Sequence, residues 1–129
     1  MTSARVLKIF FDGGCRPNPG RIEVAVVARG QVYFFDDLGT GDHADAEWLA
    51  LGKALEVAQA LGAQAFDLIG DSLAVVRQAN GQAPCRNPAA QGHKTRFDRV
   101  AAVLPPRRIR WIARHQNLAG IALDRRRRA

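Results

Sequence analysis

Three carboxylates fall where a buried scaffold would place chemistry. Asp12 closes the apolar run that holds Val6, Leu7, Ile9, Phe10 and Phe11. Asp71 closes a second such run, Phe66 to Gly70, and Glu47 opens an amphipathic stretch between them. Carboxylates brought together repel one another, and each raises the pKa of the next. A hard divalent cation, Mg²⁺ or Mn²⁺, resolves that repulsion because it prefers carboxylate and water oxygens. Two such ions can activate a water and stabilise the leaving oxygen of a phosphodiester. Acids at strand ends also serve as helix caps or solvated turn residues, and spacing does not separate the two readings.

The elements that must position these acids follow from periodicity. Residues 5–12, 22–28 and 32–36 read as three strands, the last two joined by the turn Arg29-Gly30-Gln31 and the first two by the Pro- and Gly-rich stretch Cys15 to Gly20. Trp48, Leu51, Leu55, Ala58 and Leu61 recur at helical spacing, which predicts a helix over 45–62 capped by Asp45 and stopped near Gly62. Residues 66–70 form a fourth strand, and Ser72 caps a helix that runs through Gln78. Gly81 to Gly92 reads as loop, Phe97 to Leu104 as a helix stopped by Pro105-Pro106, residues 109–113 as a fifth strand, and Asn117 starts a last short helix. A hairpin meander followed by helix crossovers makes an α/β fold, a mixed sheet with helices on its faces. Such sheets gather ligands at the carboxyl ends of their parallel strands. With strands one and four parallel neighbours, Asp12 and Asp71 face one another there, and Glu47 reaches them from the first turn of the covering helix.

At 129 residues, 47% apolar and 24% charged, the chain fits one globular domain, 1–129. No stretch is long enough to span a membrane and no signal-peptide core opens the chain, so a cytoplasmic protein is expected. Cys15 and Cys85 lack metal spacing and read as ordinary thiols. A net charge of +7, mostly arginine, points to an anionic partner, nucleic acid first, against the alternative of a solvated basic surface. The tail Asp124 to Arg128 reads as a solvated end or a phosphate contact, and Trp48 and Trp111 as core residues or base-stacking platforms.

The stretches "FFDGGCRPNPG", "DAEWLALGKAL", "LIGDSLAVV" and "WIARHQN" resemble, in that order, the motifs of the ribonuclease H family. The resemblance spans nearly the whole chain. It implies a mixed five-stranded sheet in the order 3-2-1-4-5, with helices on both faces, and two-metal hydrolysis of the RNA strand of an RNA–DNA hybrid. By that resemblance Asp12 bridges two Mg²⁺ or Mn²⁺ ions while Glu47 and Asp71 hold one each. The backbone of Gly13, Gly14 and Cys15 then lies along the RNA minor groove, where 2′-hydroxyls mark RNA. Asn18 holds that turn and Asn117 completes the nucleic-acid-facing set.

The pattern breaks at the fourth acid and on the side that grips the DNA strand. The family's fourth acid falls on Ile121, and Asp124, one turn further along the helix, is the candidate replacement, as catalytic acid and metal ligand. His115 is a candidate proton shuttle. The segment "GDHADAE" offers Asp42, Ala44 and Asp45 where members that grip DNA phosphate carry hydroxyl and amide side chains, and the loop Gln82 to Lys94 replaces a basic handle. The expected function is therefore a metal-dependent endoribonuclease acting on RNA–DNA hybrids as a monomer, or a dimer. The alternative is a nucleic-acid-binding module of the same fold with weak or lost catalysis.

Overall fold

Strict alternation of inward residues builds the sheet. In the computed structural model, which describes residues 5–128, β1 runs Leu7–Cys15, β2 Gly20–Ala28 and β3 Gln31–Phe35. Ile9, Phe11, Ile22, Val24, Val26 and Ala28 face one core, whereas Phe10, Ala25 and Val27 face another on the opposite side. The chain continues through β4 (Thr40–Gly41), α1 (His43–Ala60), β5 (Phe66–Gly70), α2 (Leu73–Ala79), α3 (Pro88–Ala101), β6 (Arg108–Trp111), a 3₁₀ turn (Arg114–Gln116) and α4 (Leu118–Arg128). The sheet order is β3-β2-β1-β5-β6, with β4 pairing the start of β2. With the two-residue β4 set aside, this is the expected five-strand order. β1 pairs β2 antiparallel and β5 parallel, and β5 pairs β6 parallel, so the sheet is mixed.

α1 and α3 cover the larger core through Trp48, Leu51, Leu55, Ala58 and Phe97, and α2 adds Val75 and Ala79. α4 covers the other face with Ala119 and Leu123. Helices thus lie on both faces. None of the described helices is long and apolar enough to cross a membrane. Cys15 and Cys85 are free thiols.

Several local expectations need correction. β1 does not stop at Asp12: it pairs with β2 through Gly13, Gly14 and Cys15, so the two glycines are strand, not turn. α1 starts two residues earlier than expected, because Asp42, not Asp45, is the N-cap. The Asp42 carboxylate accepts from the Asp45 N–H at 2.9 Å, and the Asp45 carboxylate accepts from the Asp42 N–H at 3.1 Å, a reciprocal box. Glu47 therefore sits in the second turn of α1, not the first. α3 begins at Pro88, well before Phe97, since Asn87 accepts from the Ala90 N–H at 2.8 Å and Pro88 is pre-set for a first turn. The expected loop from Gly81 to Gly92 is correspondingly short, and His93 and Lys94 are helical. Trp111 is 49% exposed on edge strand β6, not core. The last turn of α4 is docked: Arg126 forms a fork with Asp36 at 2.7 and 3.0 Å and lies over the Phe34 ring of β3.

Candidate active site

The site lies where the sheet splits. The β1–β5 ladder ends at the pair Phe10↔Ile69, while β1 continues against β2 alone. Extending the register by two residues sets Asp12 beside Asp71, on the α4 face that Phe10 also occupies. Glu47 must reach this point from the α1 face. It does so past Gly13, where a Cβ would collide with the Ala46 carbonyl. Glycine at this position lets α1 touch the strand, and the Gly13 N–H donates to Glu47 Oε1 at 3.1 Å.

The three acids converge: one carboxylate oxygen from each of Asp12, Glu47 and Asp71 lies within 4.8 Å of the others. Asp12 and Glu47 are buried. Asp12 Oδ1 and Glu47 Oε2 are buried with no hydrogen-bond partner among the described residues. An orphaned buried carboxylate oxygen is costly unless something neutralises it. Burial, then the charge of Asp71 and more weakly that of Asp124, pushes the Asp12 carboxyl up to about 6, although Glu47 and Arg114 offset part of the rise. Burial followed by Asp12 drives Glu47 well above the ordinary carboxylate range, against the pull of the Gly13 N–H. An all-oxygen donor set with two orphaned oxygens fits a hard divalent cation.

Asn117 is the residue that joins the elements. It is fully buried. Its Nδ2 donates to Asp71 Oδ2 at 2.7 Å and to the Phe11 carbonyl at 3.0 Å, and its Oδ1 accepts from the Ala119 N–H at 3.1 Å. One amide therefore fixes Asp71, β1 and the start of α4 together, and its contacts lie within the protein. α4 passes close to the acids at Gly120: a Cβ there would stand 3.4 Å from Asp12 Oδ2, at ordinary contact distance.

No local signal in the sequence marks Arg114, yet its guanidinium sits 3.6 Å from Asp12, 3.5 Å from Asp71 and 3.8 Å from Asp124. Only folding could reveal this, since the 3₁₀ turn carries Arg114 across to the acids. Asp124 stands outside the three-acid group, 39% exposed, and meets Asp12 and Asp71 through Arg114. His115 is exposed on the same turn, with no hydrogen bond to the acids. Asn18 accepts from the Cys15 thiol at 3.6 Å, and His43 Nδ1 lies 3.9 Å from the same sulfur. A cleft opens above the acids, lined by Asp12, Gly14, His43, Glu47, Arg114 and Arg127. The acidic stretch before Glu47 is tied up locally, Asp42 and Asp45 in the helix cap and Asp45 also on His93 Nε2 at 2.9 Å.

A family profile described as reverse transcriptase-like matches residues 10–125. The fold is similar to ribonuclease H1 of the halophilic archaeon Halobacterium salinarum NRC-1, with a TM-score of 0.79 and 29% identity over 94% of this chain and 99% of that one. It is similar to the N-terminal ribonuclease H domain of rv2228c from Mycobacterium tuberculosis, solved as a fusion with maltose binding protein, with a TM-score of 0.79 and 25% identity over 92% and 95% of the two chains. LC11-RNase H1, solved in complex with an RNA/DNA hybrid, shares the fold with a TM-score of 0.79 at 24% identity, covering 87% and 88%. No curated protein matches by sequence.

Proposed function

Because this chain belongs to the ribonuclease H family, we propose that it hydrolyses the RNA strand of RNA–DNA hybrids with divalent metal ions. The observation that carries this is the convergence of Asp12, Glu47 and Asp71 within 4.8 Å, with buried oxygens of Asp12 and Glu47 left unpaired. Asp12, Glu47 and Asp71 would hold Mg²⁺ or Mn²⁺, two ions when substrate is bound. Those ions would supply Lewis-acid stabilisation of the scissile phosphate and an activated water. Asp124 is the proposed fourth carboxylate, supported by its sharing of one guanidinium with Asp12 and Asp71. Asn117 would hold the Asp71 carboxylate in place beside Asp12 and Glu47. His115, exposed beside Arg114, is the proposed group for moving a proton between cleft and solvent. The backbone at Gly13, Gly14 and Cys15, with Asn18 bracing Cys15, is the proposed track for the RNA strand, where 2′-hydroxyls are read.

The test is cleavage of a hybrid labelled on either strand, beside single-stranded and duplex controls, in Mg²⁺ and in Mn²⁺. Cutting of the RNA strand that disappears with Asp12→Asn and Glu47→Gln is expected. An intact chain that leaves the hybrid uncut in both metals overturns the proposal.

One observation favours a second reading, a nucleic-acid-binding module with lost chemistry. Arg114 already supplies a cation among Asp12, Asp71 and Asp124. That reading expects salt-sensitive binding without turnover, and metal-dependent cleavage sensitive to Glu47→Gln excludes it.

A further inference from the structure

Arg126 and Arg127 are neighbours on α4 with different fates. Arg126 commits both Nη atoms to Asp36 and its face to Phe34. Arg127 commits only Nε, which donates to Glu23 Oε2 at 2.7 Å. Its Nη2 is buried and has no hydrogen-bond partner among the described residues. That nitrogen lies directly over Gly14: a Cβ built there would stand 2.8 Å away. Gly14 falls on the α4 face of β1 by alternation, so the missing side chain leaves the room that the guanidinium fills. Arg127 lines the same cleft as Asp12, Glu47 and Arg114.

A guanidinium oriented by one carboxylate, with unused donors beside a strand of glycines, suits an anion with several acceptor oxygens. We propose that Arg127, held by Glu23, is a phosphodiester-binding subsite that seats a backbone phosphate of the polynucleotide on the cleft side of its guanidinium, next to the acidic cluster. The subsite rests on the hydrolase reading for its substrate, but not for its chemistry. It also gives the cleft a phosphate handle from α4, while Asp42 and Asp45 before Glu47 offer none.

The experiment measures binding of a hybrid duplex, a DNA duplex and single-stranded RNA by fluorescence anisotropy, without metal, from 50 to 200 mM KCl. Arg127→Ala should weaken hybrid binding about tenfold and lower the slope of log affinity against log salt by about one. Arg125→Ala, an exposed charge on the same helix, should change both much less. Arg127→Lys separates structure from ligand. Its ammonium can keep the Glu23 pair and the melting temperature, but it lacks the planar fork that holds a second nitrogen out beyond that pair, so its binding should stay close to that of Arg127→Ala. Equal losses for Arg125→Ala and Arg127→Ala, or full recovery of binding by lysine, overturn the subsite. So does a wild-type chain that binds none of the three probes. A hybrid that binds with the Arg127-dependent slope yet is never cut when Mg²⁺ or Mn²⁺ is added overturns the hydrolase reading and leaves the subsite standing. Cleavage with an unchanged Arg127→Ala slope does the reverse.

Discussion

At the scale of single residues, Asp12 is the most exposed to test by pH. Its folded carboxyl is raised to about 6 from an ordinary 3.8. The folded state then holds its proton more tightly than the unfolded chain. Its favourable contribution is complete below pH 3.8 and lost as pH rises through 6. Without metal, this one group should cost on the order of 3 kcal/mol at neutral pH. The melting temperature of the metal-free chain should therefore fall between pH 4 and 7 by more than that of Asp12→Asn, as thermal scans at each pH would show. Millimolar Mg²⁺ or Mn²⁺ at pH 7 should restore the lost stability in the intact chain and give little in Asp12→Asn. A metal-independent melting temperature in both would remove the basis for the ion site. Asn117→Ala should lower metal affinity or kcat/KM about 10- to 100-fold, the range expected when a group that orients a ligand is lost, and titration calorimetry with Mn²⁺ separates the two effects. Asp12 and Asp71 stood out because each follows an apolar run, and Glu47 because it opens the amphipathic stretch between them, with the family resemblance joining the three. Arg114 and Arg127 did not, because one arginine among many carries no local signal until the fold gives it a neighbour.

At the scale of elements, the approach of α1 to β1 depends on Gly13. Gly13→Ala would press a methyl against the Ala46 carbonyl. It should destabilise the protein by about 1–3 kcal/mol and separate Glu47 from Asp12, so urea midpoint and activity should fall together. A stable but inactive variant would instead point to a role for that strand in contacting substrate. The strands and α1 could be anticipated because their periods are clean: Ile22, Val24 and Val26 alternate with Ala25 and Val27, and Trp48, Leu51 and Leu55 share a stripe. The start of α3 could not, because Asn87-Pro88 looks like turn chemistry until Asn87 is seen capping Ala90. The docking of the last turn of α4 was hidden for a related reason. Four consecutive arginines suggest a solvated end, and only the fold supplies Asp36 and Glu23 as partners.

At the scale of the whole molecule, the +7 charge is unevenly used. Arg107 forks onto buried Asp67 at 2.7 and 3.0 Å, and Arg126 and Arg127 neutralise acids on β2 and after β3. Arginines thus brace the scaffold as well as furnish a field for an anionic strand, so pairing each with its acid tells more than the net charge does. The two rims of the sheet show where this matters beyond the cleft. β6 is four residues long and two of them are arginines, while β3 carries Phe34 beneath the Arg126 guanidinium. An open strand edge invites a second molecule to add its own strand and begin a fibre. With cations parked on both margins, concentrated protein should remain clear and give no thioflavin signal. Arg126→Ala, which bares the Phe34 ring, should be the variant that turns cloudy.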